Sequence, residues 1–230
     1  MKQKRLINIT ELGSHFSETL CNALLGLHSF SGCDTVSAFK GKGKVKPMKL
    51  VLKNPEYSQI LSQLGEQWDV SEELLTGLQK FVCAIYGGKK SKITNVDELQ
   101  HFLIKSKCDE SVTGTNIRNI DLSTLPPSNA CLEQHIRRAN YQTWIWKLAN
   151  IANYALPNAW DGHGWCKNGE PYWCHDDDIL PPVLADKLEC NDMEQVNTDE
   201  EIDLLLEELE DDIVEEDEED DEDDNELFFD

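Results

Sequence analysis

The sequence predicts a mainly α chain: a helical body, an irregular tryptophan-rich segment and a disordered acidic tail. Three observations carry this. Apolar residues recur at spacings of three and four over several stretches, the period of one helix face. Few stretches alternate apolar and polar residues as a half-buried strand does. The charge is also divided: of 44 acidic residues, 23 lie in residues 191–230, which hold no Lys or Arg, so the first 190 carry 21 acids against 21 bases. The expected organisation is residues 1–122, a helical segment; 123–190, an Arg/Trp-rich helix plus the irregular segment; and 191–230, the tail.

The elements follow in chain order. Leu12, Phe16, Leu20, Ala23, Leu24 and Leu27 place a helix within residues 1–31, with Thr10 and Glu11 at its start and Gly13 weakening the first turn. Lys40 to Pro47 alternates lysine with glycine and reads as a loop or tight hairpin. Met48 to Leu52 restarts an apolar run, and Tyr57 to Leu64 reads as a helix. Ser71 to Tyr86 carries the stripe Leu74, Leu75, Leu78, Phe81, Val82 and Ile85, with acids in its first turn and Gly87-Gly88 as its stop. Val96 to Ser106 is a helix capped by Asn95, and Cys131 to Asn153 is the longest helical pattern. Leu156 to Pro182 has no period. In the tail, Ile202, Leu205, Leu206, Leu209 and Ile213 share a helical face over 201–213, and Leu227-Phe228-Phe229 forms a second apolar anchor.

Composition excludes several classes. No apolar run approaches the roughly 20 residues that span a bilayer, so no membrane is expected as a partner. Leu6 to Thr10 is too short and polar for a signal sequence. The eight cysteines are thinly spread, mostly within apolar stretches, as reduced buried thiols are. Cys33 near His28 is one of these and not a catalytic pair. The expected location is intracellular, and nuclear if DNA is the partner. The tail itself cannot bind a polyanion, since like charges repel.

The segment richest in chemistry is Gly32-Cys33-Asp34 followed by Gly41-Lys42-Gly43-Lys44. Glycines let backbone N–H groups approach an anion, and Lys40, Lys42, Lys44, Lys46 and Lys49 neutralise phosphate. It is not a Walker loop. A second cationic and aromatic run, Arg137-Arg138, Tyr141, Trp144 and Trp146-Lys147, offers guanidinium for phosphate and rings for stacking. Trp144 and Trp146 point about 200° apart on a helix, so one of them is expected in the core.

The first of these segments resembles the metal-site-to-DNA-hairpin stretch of flap-endonuclease-type proteins in the PIN-like superfamily, over about residues 20–60. The resemblance implies the helical part of a PIN or 5′-nuclease-like fold. It assigns Asp34 as a carboxylate for Mg2+ or Mn2+. It assigns Lys40, Gly41, Lys42, Gly43, Lys44 and Lys46 as a hairpin that grips a DNA backbone. The strings from Leu27 to Ser37, Gly41 to Lys44 and His135 to Lys147 also resemble a multicopy, mobile-element-associated group of animal proteins, over about Leu6 to Trp165. In flap-type nucleases most metal-binding acids lie upstream of the G-C-D motif. Here 33 residues precede Asp34, and their acids are Glu11 and Glu18. The resemblance is therefore to the C-terminal half of such a protein. No catalytic residue is assigned. Only with an upstream segment would a metal-dependent, structure-specific endonuclease be expected.

His163, Cys166, Cys174 and His175 are zinc-compatible ligands in a short irregular segment. Adjacent Cys174 and His175 diverge, which argues for packing or surface roles over Zn2+. Two functions result: a nuclease-derived DNA-binding protein without catalysis in this chain alone, or a non-catalytic interaction module whose acidic tail binds a basic protein partner.

Overall fold

The computed structural model describes residues 8–87, 92–107 and 122–171. Among these residues the structure is helical, with no strand beyond a single bridge between Trp165 and Pro171. The tail segments at 201–213 and 227–229 lie outside the described residues.

The predicted first helix is two. α1 (Ile9–Ser14) opens on Asn8, whose side chain accepts from the Glu11 N–H at 3.2 Å. Ser17 then adopts an extended backbone and its hydroxyl accepts from the Leu20 N–H at 3.1 Å, starting α2 (Glu18–Phe30). A serine that caps a new helix satisfies an otherwise orphaned donor, so the break costs little.

α3 (Val45–Lys53) begins three residues before the apolar run predicted at Met48. Pro47 sits in its first turn, where a missing N–H forfeits no helical bond. Lys40 to Lys44 form a turn closed by the Lys42 N–H on the Phe39 carbonyl at 3.1 Å, with no paired strands. α4 (Pro55–Ser62) is capped by Asn54, which accepts from the Glu56 N–H at 3.0 Å. α5 (Glu72–Gly87) starts at Ser71, and α6 (Val96–Lys107) at Asn95, whose Oδ1 accepts from the N–H groups of Asp97 and Glu98. A 3-10 turn (Leu122–Thr124) precedes α7 (Asn129–Lys147), which ends six residues before the predicted Asn153 in a turn closed by the Ile151 N–H on Leu148.

The chain divides into two compact units. One comprises, among the described residues, those up to Phe81 together with those from Asn129 to Pro171. In it α2 packs on α4 and α7, and α3 on α4. A Cβ on Gly26 would stand 2.2 Å from the Leu61 carbonyl, so the α2–α4 approach depends on that glycine. Phe30, Leu61, Leu64, Leu78, Phe81, Leu132 and Ile136 are fully buried here, and each such side chain contributes about 1.5–3 kcal/mol over its exposed state. The described residues of the second unit lie within Val82–Ser128. It buries Val82, Ile85, Val96, Leu99 and Leu125, and Gln100 donates to the Pro126 carbonyl at 3.3 Å. Burial, with Glu98 adding to it, pushes the Cys83 thiol up to about 12, as befits an inert core cysteine.

Candidate functional site

The two segments singled out in the sequence meet at the C-terminal end of α2. α2 stops at Phe30, and Gly32 turns the chain at a φ of 113°. A Cβ there would lie 2.5 Å from Ala38, so the returning loop is seated on the bare glycine. Val36 and Phe39 plug the loop into the core, while Asp34 and Thr35 stay exposed.

Lys44 closes this loop. Its ammonium donates to the carbonyls of His28 and Gly32 at 3.0 and 2.6 Å and to the Ser31 hydroxyl at 3.0 Å. The His28 carbonyl is one of the last four of α2 and has no intrahelical donor, and Gly32 lies just beyond this negative helix end, where a cation is favourable. Burial lowers the Lys44 pKa, against an opposing pull from Cys33. Lys44 is thus spent on the loop's own architecture. Lys40 and Gly41 are exposed on the turn that it anchors, Lys42 and Lys46 are half-buried, and Gly41 takes a φ of 69°. From Thr35 to Pro55 there are six lysines and no acid.

α7 lies against this region and carries a row of polar side chains, each engaging a different part of the first unit. His135 is buried between the Phe30 and Phe39 rings; its Nε2 meets the Phe30 carbonyl at 2.8 Å and its Nδ1 the Ser37 hydroxyl at 3.4 Å. The neutral tautomer with a proton on Nε2 fits both contacts. Desolvation, reinforced by the Arg138 charge and opposed by the Phe30 carbonyl, lowers its pKa to about 4. Arg138 is buried and donates to the Gly164 carbonyl at 3.1 Å. The amide of Asn140 holds the chain at residues 65–68. Gln142 accepts from the Thr35 hydroxyl at 2.6 Å, and Thr143 meets the Ser29 hydroxyl at 2.5 Å. Lys147 donates to the Ser62 carbonyl at 2.9 Å and pairs with Glu66.

This arrangement reassigns most of the cationic and aromatic run. Arg137 pairs with Glu133 at 2.6 Å, Tyr141 donates to the Pro157 carbonyl at 3.0 Å, and Trp144 stacks on Trp68 with ring centroids 4.1 Å apart. Neither tryptophan is fully buried: Trp144 and Trp146 are both half-exposed, on different partners. Trp146 stacks on His28 with centroids 5.4 Å apart. His28 was not legible as a partner, because stacking between residues so distant in sequence leaves no spacing signal.

Of the zinc-compatible set, His163 is buried beside the Tyr141 and Trp68 rings and its pKa is lowered, first by desolvation. Cys166 sits on a tight turn, its N–H donating to the Glu170 carbonyl at 2.7 Å. Cys174 and His175 lie outside the described residues. Among the described residues no three His, Cys, Asp or Glu side chains gather as a metal group, around Asp34 or elsewhere. A two-metal centre needs several carboxylates, and among the described residues Asp34 is not joined by them. An open groove of about 410 Å³ runs between α4 and α5, lined by Tyr57, Ile60 and Gly77 with Glu56, Glu72 and Glu73 among its walls. None of the residues expected to bind DNA or metal line it. No helix among the described residues is long and apolar enough to cross a membrane.

No family model, curated protein or solved structure matches the chain. The functional reading therefore rests on its own residues.

Proposed function

We propose that this chain is a nuclease-derived DNA-binding module that holds the phosphodiester backbone through the loop between α2 and α3 and performs no catalysis by itself. One observation carries the reading: the acid-free, six-lysine stretch from Thr35 to Pro55 lies on a loop seated on Gly32 and pinned by Lys44. A pre-shaped cationic loop loses less entropy on binding a polyanion than a floppy one. Lys40, Lys42 and Lys46, with the backbone of Gly41 and Gly43, are the phosphate contacts. Lys44 acts behind them, by holding the loop. Asp34, exposed beside the loop, is the carboxylate that a nuclease ancestry would leave; no metal-dependent step is assigned to it.

The test is binding of the chain to a labelled duplex across a salt series. Each phosphate contact releases counterions, so log affinity falls with log salt by about 0.9 per contact. Replacing Lys42 and Lys46 by Ala flattens that slope by roughly 2 and weakens all sequences alike, because phosphates carry no sequence information. Absence of salt-dependent binding at low ionic strength would leave the alternative, a scaffold whose acidic residues 191–230 engage a basic protein, as the better account.

A further inference from the structure

Most rings of α7 are covered by protein: Trp144 by Trp68, and Tyr141 by Trp68 and His163. The His28–Trp146 pair is different. Its rings are stacked, 29° from parallel, yet His28 is exposed and Trp146 half-exposed. The pair is joined to the lysine loop from both sides. The His28 carbonyl takes a hydrogen bond from Lys44 at 3.0 Å, and Gln142, one helical turn before Trp146, takes one from Thr35 at 2.6 Å. An accessible π-face thus lies next to the acid-free cationic stretch, which Asp34 and Glu56 flank in sequence. Leu25, one turn earlier on α2, is an exposed apolar side chain.

A base has π-faces to stack only where it is unpaired, and a strand stacked on a ring sends its phosphates to neighbouring cations. We propose that the His28–Trp146 pair is a stacking platform for an unpaired base of a single-stranded nucleic acid whose phosphates run along the lysine loop. This rests on the DNA-binding reading of that loop and narrows it to strands with accessible bases. Duplex DNA reaches the lysines alone; single strands reach the lysines and the platform.

The experiment measures binding of the full chain to a fluorescein-labelled thymidine dodecamer and to a duplex of the same length over a salt series. The variants are His28→Ala, Trp146→Leu and Trp146→Phe, with far-UV circular dichroism and thermal melting to check that each folds. The expected result is a roughly tenfold loss of single-strand affinity in His28→Ala and Trp146→Leu, near-native binding in Trp146→Phe, and unchanged duplex affinity and salt slope. Unchanged single-strand affinity in His28→Ala, or equal losses on both ligands, overturns the platform while leaving the lysine loop intact. Absence of binding to either ligand by the unaltered chain overturns the lysine reading, and the platform with it. If Trp146→Leu does not fold, His28→Ala and Trp146→Phe decide the matter, since His28 is exposed and phenylalanine keeps a ring.

Discussion

Replacing Asn140 by Leu should cost this protein a large share of its stability. Asn140 is 1% exposed; its Oδ1 accepts from the Gly65 N–H at 2.8 Å, and its Nδ2 donates to the carbonyls of Gln67 and Trp68 at 2.8 and 3.1 Å. Leucine has a similar volume and satisfies none of them. An orphaned buried polar group costs about 1–3 kcal/mol. The Gly65 N–H is buried and takes the upper part of that range, whereas the two carbonyls are nearer water and take the lower part. The total is about 3–5 kcal/mol, against about 5–15 kcal/mol for a whole domain. Urea unfolding followed by far-UV circular dichroism measures it. Asn140→Asp provides a second reading, since it keeps the acceptor for Gly65 but sets a carboxylate against two carbonyls. Its folded pKa is therefore raised, so its stability is fullest below the ordinary carboxylate pKa and falls as pH rises through the folded value. A Leu variant within about 1 kcal/mol of the parent, or an Asp variant with no pH dependence, would refute this account of how α7 holds residues 65–68.

Four further outcomes are expected. Gly65→Ala should destabilise by at least about 1–3 kcal/mol, because Gly65 has a φ of 72° and a Cβ would lie 2.6 Å from the Trp144 backbone nitrogen; Gly13→Ala, in open space within α1, should gain up to about 1 kcal/mol, both read by chemical denaturation. His135, held neutral with a pKa of about 4 against 6.5, makes the unfolded chain bind more protons between those values, so its contribution is complete above pH 6.5 and up to about 3 kcal/mol is lost as pH falls towards 4; a His135→Gln variant should show a flatter stability profile over that window. Lys44→Met should lower stability by about 1–2 kcal/mol while changing the salt slope of DNA binding less than Lys42→Ala does; the reverse ranking would show that Lys44 serves the ligand and not the loop.

Local chemistry made much of the helical layout readable in advance. The α5 stripe runs to Tyr86 and Gly87 as the spacing predicts, and Asn95 caps α6 through its own side chain, because periodicity and capping act within a few residues. The same local signals were present at Asn8 and Ser17, where two caps split the first helix, but a continuous apolar period masked them. The start of α3 and the end of α7 are not legible from period alone: Pro47 is tolerated in a first turn, and a period does not show where a helix stops.

The site is where sequence and fold part company. Composition alone marks Thr35 to Pro55 as cationic and free of acids. It also marks His135 to Lys147 as rich in arginine, amide and indole groups, but assigns them no direction. Their partners lie far along the chain, at the Thr35 hydroxyl and the backbones of Phe30, Gly65 and Gly164, and only the packing of α2, α4 and α7 brings those groups within reach. Packing likewise separates two lysines that sequence cannot tell apart. Lys42 sits on the turn, while the Lys44 ammonium donates to the His28 and Gly32 carbonyls at the end of α2, where acceptors lack helical partners and a cation is favourable.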